Sequence, residues 1–280
     1  MINIQNIDFT YKKGKKKVYT DFSAHIEAGG IYGLLGRNGT GKSTLLYIIC
    51  GLLHPQKGAC TLDGIDTSAR MAETLKDIFL VPEEFELPAT SMRRYVEINK
   101  PFYPNFSEEL LDYCLSAFDL DRTVQLGELS MGMKKKAFIS FALATNTRVL
   151  LMDEPTNGLD IPSKSQFRKA LASAASEERA IVISTHQVKD VEQLLDQFII
   201  IESDGLLVQS SAADITEKFR FDMHDLSYAD DNELYSRPSF SGKETISLNT
   251  SGEDTPINLD LLFTALIEKP ELAKYLNNEK

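Results

Sequence analysis

The 280-residue sequence predicts an α/β fold built on a largely parallel sheet, and three observations predict it. Short apolar runs alternate with helix-spaced stretches between residues 31 and 201, the pattern of strands joined by crossover helices. Two runs, Ile31-Tyr32-Gly33-Leu34-Leu35 and Val149-Leu150-Leu151-Met152, are apolar throughout, as strands covered on both faces are. A glycine-rich turn joins the first of these directly to a helical pattern, Ser43 to Cys50, that stops at Gly51.

The elements follow in order. Ile2, Ile4 and Ile7-Phe9 alternate loosely with polar positions, as a half-buried strand does. Phe22-Ser23-Ala24-His25-Ile26 and the Ile31–Leu35 run flank Gly29-Gly30, which reads as a hairpin. Ala59–Leu62 reads as a strand turning at Asp63-Gly64. Ile78-Phe79-Leu80-Val81 reads as a strand ended by Pro82. Residues 84–145 read as a mostly helical insertion, with Ser107 opening one helix. After Val149–Met152 come a helix at 163–175, the strand Ile181-Val182-Ile183, a helix after His186, and the strand Phe198-Ile199-Ile200-Ile201 with Asp204-Gly205 as turn. Beyond residue 210 the pattern weakens. Ser211–Glu217 suits a helix, and 222–256 is polar with short strands near Glu233–Tyr235 and Thr245–Leu248. Leu259–Phe263 opens an amphipathic helix.

Composition narrows the function classes. Apolar residues make up 42% and charged residues 25%, which suits a packed globular chain and not a disordered or collagen-like one. The net charge is −11, so general nucleic-acid binding is not expected, because phosphates demand a basic face. Residues 211–280 hold 14 acids against 7 bases. That quarter of the chain carries most of the excess charge, which places a boundary near 210. Cys50, Cys60 and Cys114 are too irregularly spaced for a metal or redox pair. The start, Met1-Ile2-Asn3-Ile4, does not read as a signal peptide. No apolar run reaches the ~20 residues a membrane helix needs.

Two motifs carry chemistry. Gly36-Arg37-Asn38-Gly39-Thr40-Gly41-Lys42-Ser43-Thr44 satisfies G-x-x-x-x-G-K-[ST] between a buried strand and a helix. Glycines let backbone N–H groups approach a polyphosphate, and the helix start adds its dipole. Lys42 supplies a point charge to the outer phosphates, and the Ser43 hydroxyl suits Mg²⁺. The second motif is Asp153-Glu154 at the end of a buried strand, the edge of a parallel sheet where ligands bind. Asp153 suits a hold on Mg²⁺, and Glu154 a general base or water-orienting group.

With further landmarks in order, the first 210 residues or so resemble an ABC-type ATPase, the nucleotide-binding subunit of an ABC transporter. Leu129-Ser130-Met131-Gly132-Met133 is similar to the family's signature, usually L-S-G-G-Q. Asn157-Gly158-Leu159-Asp160 resembles its D-loop, and His186 after Ser184-Thr185 its switch histidine. Tyr11 sits where the family stacks an aromatic ring on adenine. The resemblance implies a P-loop NTPase of ABC type: a mixed sheet with N-terminal antiparallel strands, a helical subdomain of about 84–145 inserted in an ATPase domain of 1–210, and a C-terminal α+β appendage, 211–280. It implies ATP and Mg²⁺ as cofactors and catalytic roles for Glu154, His186 and Lys42. Ser130, Gly132 and Met133 would contact ATP held by an opposite subunit, with Asp160 in the D-loop, in a head-to-tail dimer. The partner would be an integral-membrane permease, with this chain peripheral on its cytoplasmic face, and the coupling surface would begin at Ser91–Tyr95.

The sequence also departs from the family pattern. Met131 and Met133 replace a glycine and the glutamine of the signature. Glu83 stands where the family's Q-loop glutamine is expected, and it is taken as a metal contact. Lys134-Lys135-Lys136 reads as a solvated face, with the alternative that it offsets phosphate charge across the dimer. The acidic tail is similar to the C-terminal part of ABC-2-type exporter ATPases, and its alternative is a loosely folded tail. The rival function is a non-transport ABC ATPase, regulatory or nucleic-acid-associated. The chain lacks the long coiled-coil or zinc insertions and the second cassette of such proteins.

Overall fold

A computed structural model describes residues 1–11, 17–202, 205–227 and 232–277. The chain opens with β1 (Ile2–Thr10), β2 (Lys17–Ile26), β3 (Gly30–Leu35), α1 (Lys42–Ile49), β4 (Lys57–Leu62) and β5 (Ile65–Asp66). It continues through α2 (Ala72–Leu75), β6 (Ile78–Val81), α3 (Met92–Asn99), α4 (Glu108–Ala117), α5 (Met131–Ala144), β7 (Val149–Asp153), α6 (Ile161–Ala174), β8 (Ala180–Thr185), β9 (Gln197–Glu202) and β10 (Gly205–Ser211). The remainder holds α7 (Ala212–Lys218), β11 (Phe219–His224), β12 (Glu233–Ser239), β13 (Gly242–Leu248) and α8 (Leu259–Glu268).

The main sheet runs β10-β9-β3-β8-β7-β6. Its strands pair in parallel except for the edge strand β10. β3, β7 and β8 are buried along their whole length, which is why the sequence shows them as unbroken apolar runs. Successive side chains alternate between two cores. Tyr32, Leu34, Leu151 and Val182 pack on α1 and the antiparallel sheet β2-β1-β4-β5. Ile31, Leu35, Leu150 and Ile181 pack on the opposite side with the helices of the insertion. The glycine-rich loop Gly36–Gly41 joins β3, packed between these two cores, to α1.

The hairpin expected at Gly29-Gly30 does not form. β2 pairs with β1, while β3 lies in the other sheet with β9 on one edge and β8 on the other. Both edges of β3 are taken, so β2 has no place beside it. Gly29, at φ 85°, redirects the chain and donates its N–H to the Arg179 carbonyl at 3.1 Å. Gln209 of β10 instead joins the two sheets by accepting from the His25 N–H at 3.2 Å and donating back to the His25 carbonyl.

The helix expected after His186 is also absent. Two 3₁₀ turns, Val188–Asp190 and Glu192–Leu194, take its place. Val188, Val191 and Leu195 are buried at helix-like spacing, which explains the expectation. The N–H groups of Asp190, Val191 and Leu194 close on carbonyls three residues back, and β-branched Val188 and Val191 favour an α-helix little. The turn expected at Asp204-Gly205 falls partly outside the described residues; Gly205 opens β10.

The chain after residue 210 folds on the same core. β11-β13-β12 form a three-stranded antiparallel sheet. Its Phe219 and Ile246, and Leu262 and Leu266 of α8, are buried in one apolar cluster with Phe198 and Ile200 of the main sheet. A loosely folded tail is therefore not what these residues form. The three thiols are buried as well; burial pushes Cys50 up to about 11 and Cys60 and Cys114 up to about 12. No described helix is long and apolar enough to cross a membrane.

Candidate functional site

A cleft of about 730 Å³ opens at the carboxyl edge of the main sheet. Tyr11, Asn38, Lys42, Ser43, Glu83, Asp153, Glu154 and His186 all line it, with Gly39, Gly41 and Thr44. β3 leads into the loop, β7 ends at Asp153, β8 ends at Thr185 just before His186, and Tyr11 and Glu83 follow β1 and β6.

The loop Gly36–Thr44 is shaped by contacts that leave no room for a side chain at Gly36 or Gly41. A Cβ on Gly36 would sit 2.7 Å from the Ile201 carbonyl. Gly41 has φ 108° and forms the N-cap of α1 without any side-chain cap, so the first N–H groups of that helix face the cleft bare. Buried Tyr19 of β2 donates its hydroxyl to the Gly41 carbonyl at 2.7 Å. The Lys42 ammonium turns back on the loop, donating to the Gly36 carbonyl at 2.8 Å and the Arg37 carbonyl at 3.3 Å. Burial lowers the proton affinity of Lys42, and the Glu154, Asp153 and Glu83 carboxylates oppose that shift. Arg37 and Asn38 are exposed, and the Thr40 hydroxyl donates to the Arg37 carbonyl at 2.9 Å. Exposed Tyr11 packs edge-on against Phe9 and shares a 2.9 Å hydrogen bond with the Thr44 hydroxyl.

Glu154 is the most constrained residue of the site. It has a left-handed backbone, φ 46°, a conformation that costs a non-glycine residue of order 1–3 kcal/mol. Its N–H donates to the Ser184 carbonyl at 2.9 Å. One carboxylate oxygen accepts from the Thr185 hydroxyl at 3.1 Å; the other accepts from the His186 N–H at 3.1 Å and lies 2.7 Å from His186 Nδ1. With Glu154 ionised, Nδ1 carries the proton and Nε2 is left for a ligand. Thr185 and the His186 backbone are contacts that the sequence did not suggest.

Asp153 is 2% exposed, and its Oδ1 has no hydrogen-bond partner. A buried carboxylate oxygen without a donor suits a bound cation. The Ser43 hydroxyl and the Glu83 carboxylate line the same cleft, and this hard-oxygen set fits Mg²⁺. Glu83 is exposed after β6 and accepts from the Asn157 side chain at 2.9 Å; Gln187 donates to the Asn157 side-chain oxygen at 3.0 Å. Asn157 and Gln187 thereby tie Glu83 to the switch segment, an arrangement that only the fold shows.

The signature residues lie elsewhere. Ser130 is the N-cap of α5 and accepts from the Met133 N–H at 3.3 Å. Ser130 and Met133 are exposed, Gly132 lies near the Gly158 carbonyl, and none of the three lines the cleft of its own chain. Exposed Asp160 caps α6. The Ser163 hydroxyl and N–H hold its carboxyl below the usual carboxylate range.

The lysine cluster differs from its expected solvated face. Lys136 donates to Gln166 at 3.1 Å and lies over the Phe118 ring. Lys135 is only 7% exposed, and its ammonium donates to the backbone carbonyls of Glu154 at 3.1 Å and Asn157 at 2.9 Å. Helical spacing signals this burial, because Lys135 precedes buried Ile139 by four residues and Ala142 by seven.

Comparison with known proteins gives this site a context. The family described as ABC transporter matches residues 19–157. The ABC transporter ATP-binding protein NatA of Bacillus subtilis is 32% identical over 233 residues, covering 79% of this chain and 92% of that protein. The Nod factor export ATP-binding protein I of Burkholderia lata is 31% identical over 218 residues, covering 75% and 70%. A solved structure titled as the ATP binding subunit of an ABC transporter superposes with a TM-score of 0.68 at 23% identity, covering 77% of this chain and 91% of that one.

Proposed function

The chain belongs to the ABC transporter family as an ATP-binding ATPase, and from that membership we propose that it is the motor subunit of an exporter, driving a separate membrane-spanning permease. The observation that carries the reading is the Glu154 carboxylate, held by Thr185 and His186 at the rim of a phosphate-binding cleft. There it is placed to take a proton from a water attacking the γ-phosphate, while His186 Nε2 bonds that water or the phosphate. Lys42 exchanges its loop carbonyls for phosphate oxygens, and the bare N–H groups of the loop and α1 stabilise the charge that develops. Asp153, Ser43 and Glu83 would hold Mg²⁺, which supplies neutralising charge to the phosphates. Tyr11 offers an exposed ring for stacking on adenine.

The same geometry supports two chains per functional unit. Ser130, Gly132 and Met133 do not reach the cleft of their own chain, so a role in ATP binding needs a second subunit facing head to tail. A groove of about 610 Å³ beside the insertion, with exposed Leu52 and Phe102, suits an apolar helix of the permease. On this reading residues 1–210 are the ATPase domain, 211–280 are an accessory region, and the chain works at the cytoplasmic membrane face. Export follows the Nod factor export relative. Affinity purification of the tagged chain from detergent-solubilised membranes tests the assignment. One polytopic membrane chain should co-purify in fixed ratio and raise the ATPase rate. Recovery of the chain alone, from the soluble fraction only, would contradict a motor role.

A further inference from the structure

Lys135 stands where a cation is disfavoured twice over. It lies in the first turns of α5, where the helix dipole opposes positive charge, and it is buried. Among the described residues no carboxylate lies within ion-pair distance of its ammonium, which donates instead to two backbone carbonyls. Those two carbonyls bracket the turn Glu154–Asn157, which is closed by the Asn157 N–H donating to the same Glu154 carbonyl at 3.2 Å. The Glu154 peptide is therefore gripped on both sides. Its N–H is tied to β8 at Ser184, and its carbonyl is tied to α5 at Lys135. Such gripping is what a glutamate with a left-handed backbone needs. The far end of the grip is the helix whose first residues follow Ser130.

We propose that Lys135 is a positioning residue for ATP hydrolysis, its ammonium clamping the Glu154–Asn157 turn to the signature helix so that the Glu154 carboxylate keeps its aim only while that helix is docked. The inference rests on the reading of Glu154 as the group that orients the attacking water. It gives a short physical route between two sites: a helix that meets the partner's nucleotide through Ser130 and Gly132 holds its own chain's Glu154 through Lys135. Burial lowers the proton affinity of Lys135, and the nearby Glu83, Glu154 and Asp153 carboxylates oppose that shift.

The full chain with Lys135→Met tests this, because methionine fills nearly the same space without a donor or a charge. Steady-state phosphate release with Mg·ATP should show kcat at least tenfold down and KM for ATP within twofold of the native chain. Lys135→Arg, which restores donors and charge, should return kcat to within threefold. A Lys135→Met chain that turns over at the native rate overturns the proposal, as does one whose loss lies entirely in KM. Should Lys135→Met not accumulate as folded protein, Lys135→Leu, which likewise has no donor, carries the same kcat and KM expectations. Glu154→Gln measured alongside separates the two levels. Native turnover in that variant defeats the reading of Glu154 itself, whereas a silent Lys135 with an inactive Glu154→Gln defeats only the clamp.

Discussion

Gly41 shows how tightly single residues set this site. At φ 108° a Cβ there would lie 2.6 Å from Val18 and 2.8 Å from the Tyr19 hydroxyl, the group that holds the loop from below. An alanine must shift β2 or the loop, and either displaces the N–H groups that face the cleft. Gly41→Ala should weaken Mg·ATP binding at least tenfold, measured by titration with a fluorescent ATP analogue; unchanged affinity would show that the loop tolerates the shift. The loop was legible in the sequence because backbone geometry dictates its spacing, Asp153 and Glu154 because they end a buried apolar strand, and His186 through the family resemblance. Thr185, Tyr19 and the side chain of Asn157 were not, since their roles arise from distant segments brought together. Lys135 lies between the two cases. Its place on the buried stripe of α5 was in the periodicity, but a run of three lysines reads first as solvated surface.

The N-terminus of α5 poses a question that belongs to the element. Ser130 caps it by accepting the Met133 N–H, and a cap of this kind contributes about 1 kcal/mol. The cap alone would account for the serine. Aspartate caps as well and suits the helix dipole better, yet it would place a negative charge against any phosphate the helix meets. Ser130→Asp should therefore melt no lower than the native chain by differential scanning calorimetry while ATP hydrolysis falls at least tenfold. Native hydrolysis in that variant would leave the cap as the whole explanation. Strands and helices with strong local patterns, such as β7, β8 and α6, matched their sequence signals closely. The errors came where pairing or turn chemistry decides. The two glycines before β3 did not make a hairpin because β3 was already paired on both edges. β11, Phe219–His224, has the strand period, but with only two buried apolar positions, Phe219 and Phe221, the run is too short to stand out before the polar stretch that follows.

At the scale of the molecule, the lopsided charge marks a region that still shares the apolar core. α8 and the segment after His186 line a common cleft with Arg37, so residues 211–280 border the Gly36–Thr44 loop from outside. The charge asymmetry was visible in composition, but this adjacency was not, since it depends on how β11–β13 carry α8 across the sheet edge. Glu154 as the group that activates water, in a chain that closes on ATP with a second copy, is the premise of both the proposed motor role and the Lys135 clamp. Phosphate release by Glu154→Gln, read beside its mass by light scattering with Mg·ATP, tests that claim most directly. Turnover should fall by about 10² or more, with ATP still bound and the mass rising to twice that of the 31.3 kDa chain. Native turnover in that variant, or a chain that stays monomeric with ATP bound, would contradict it.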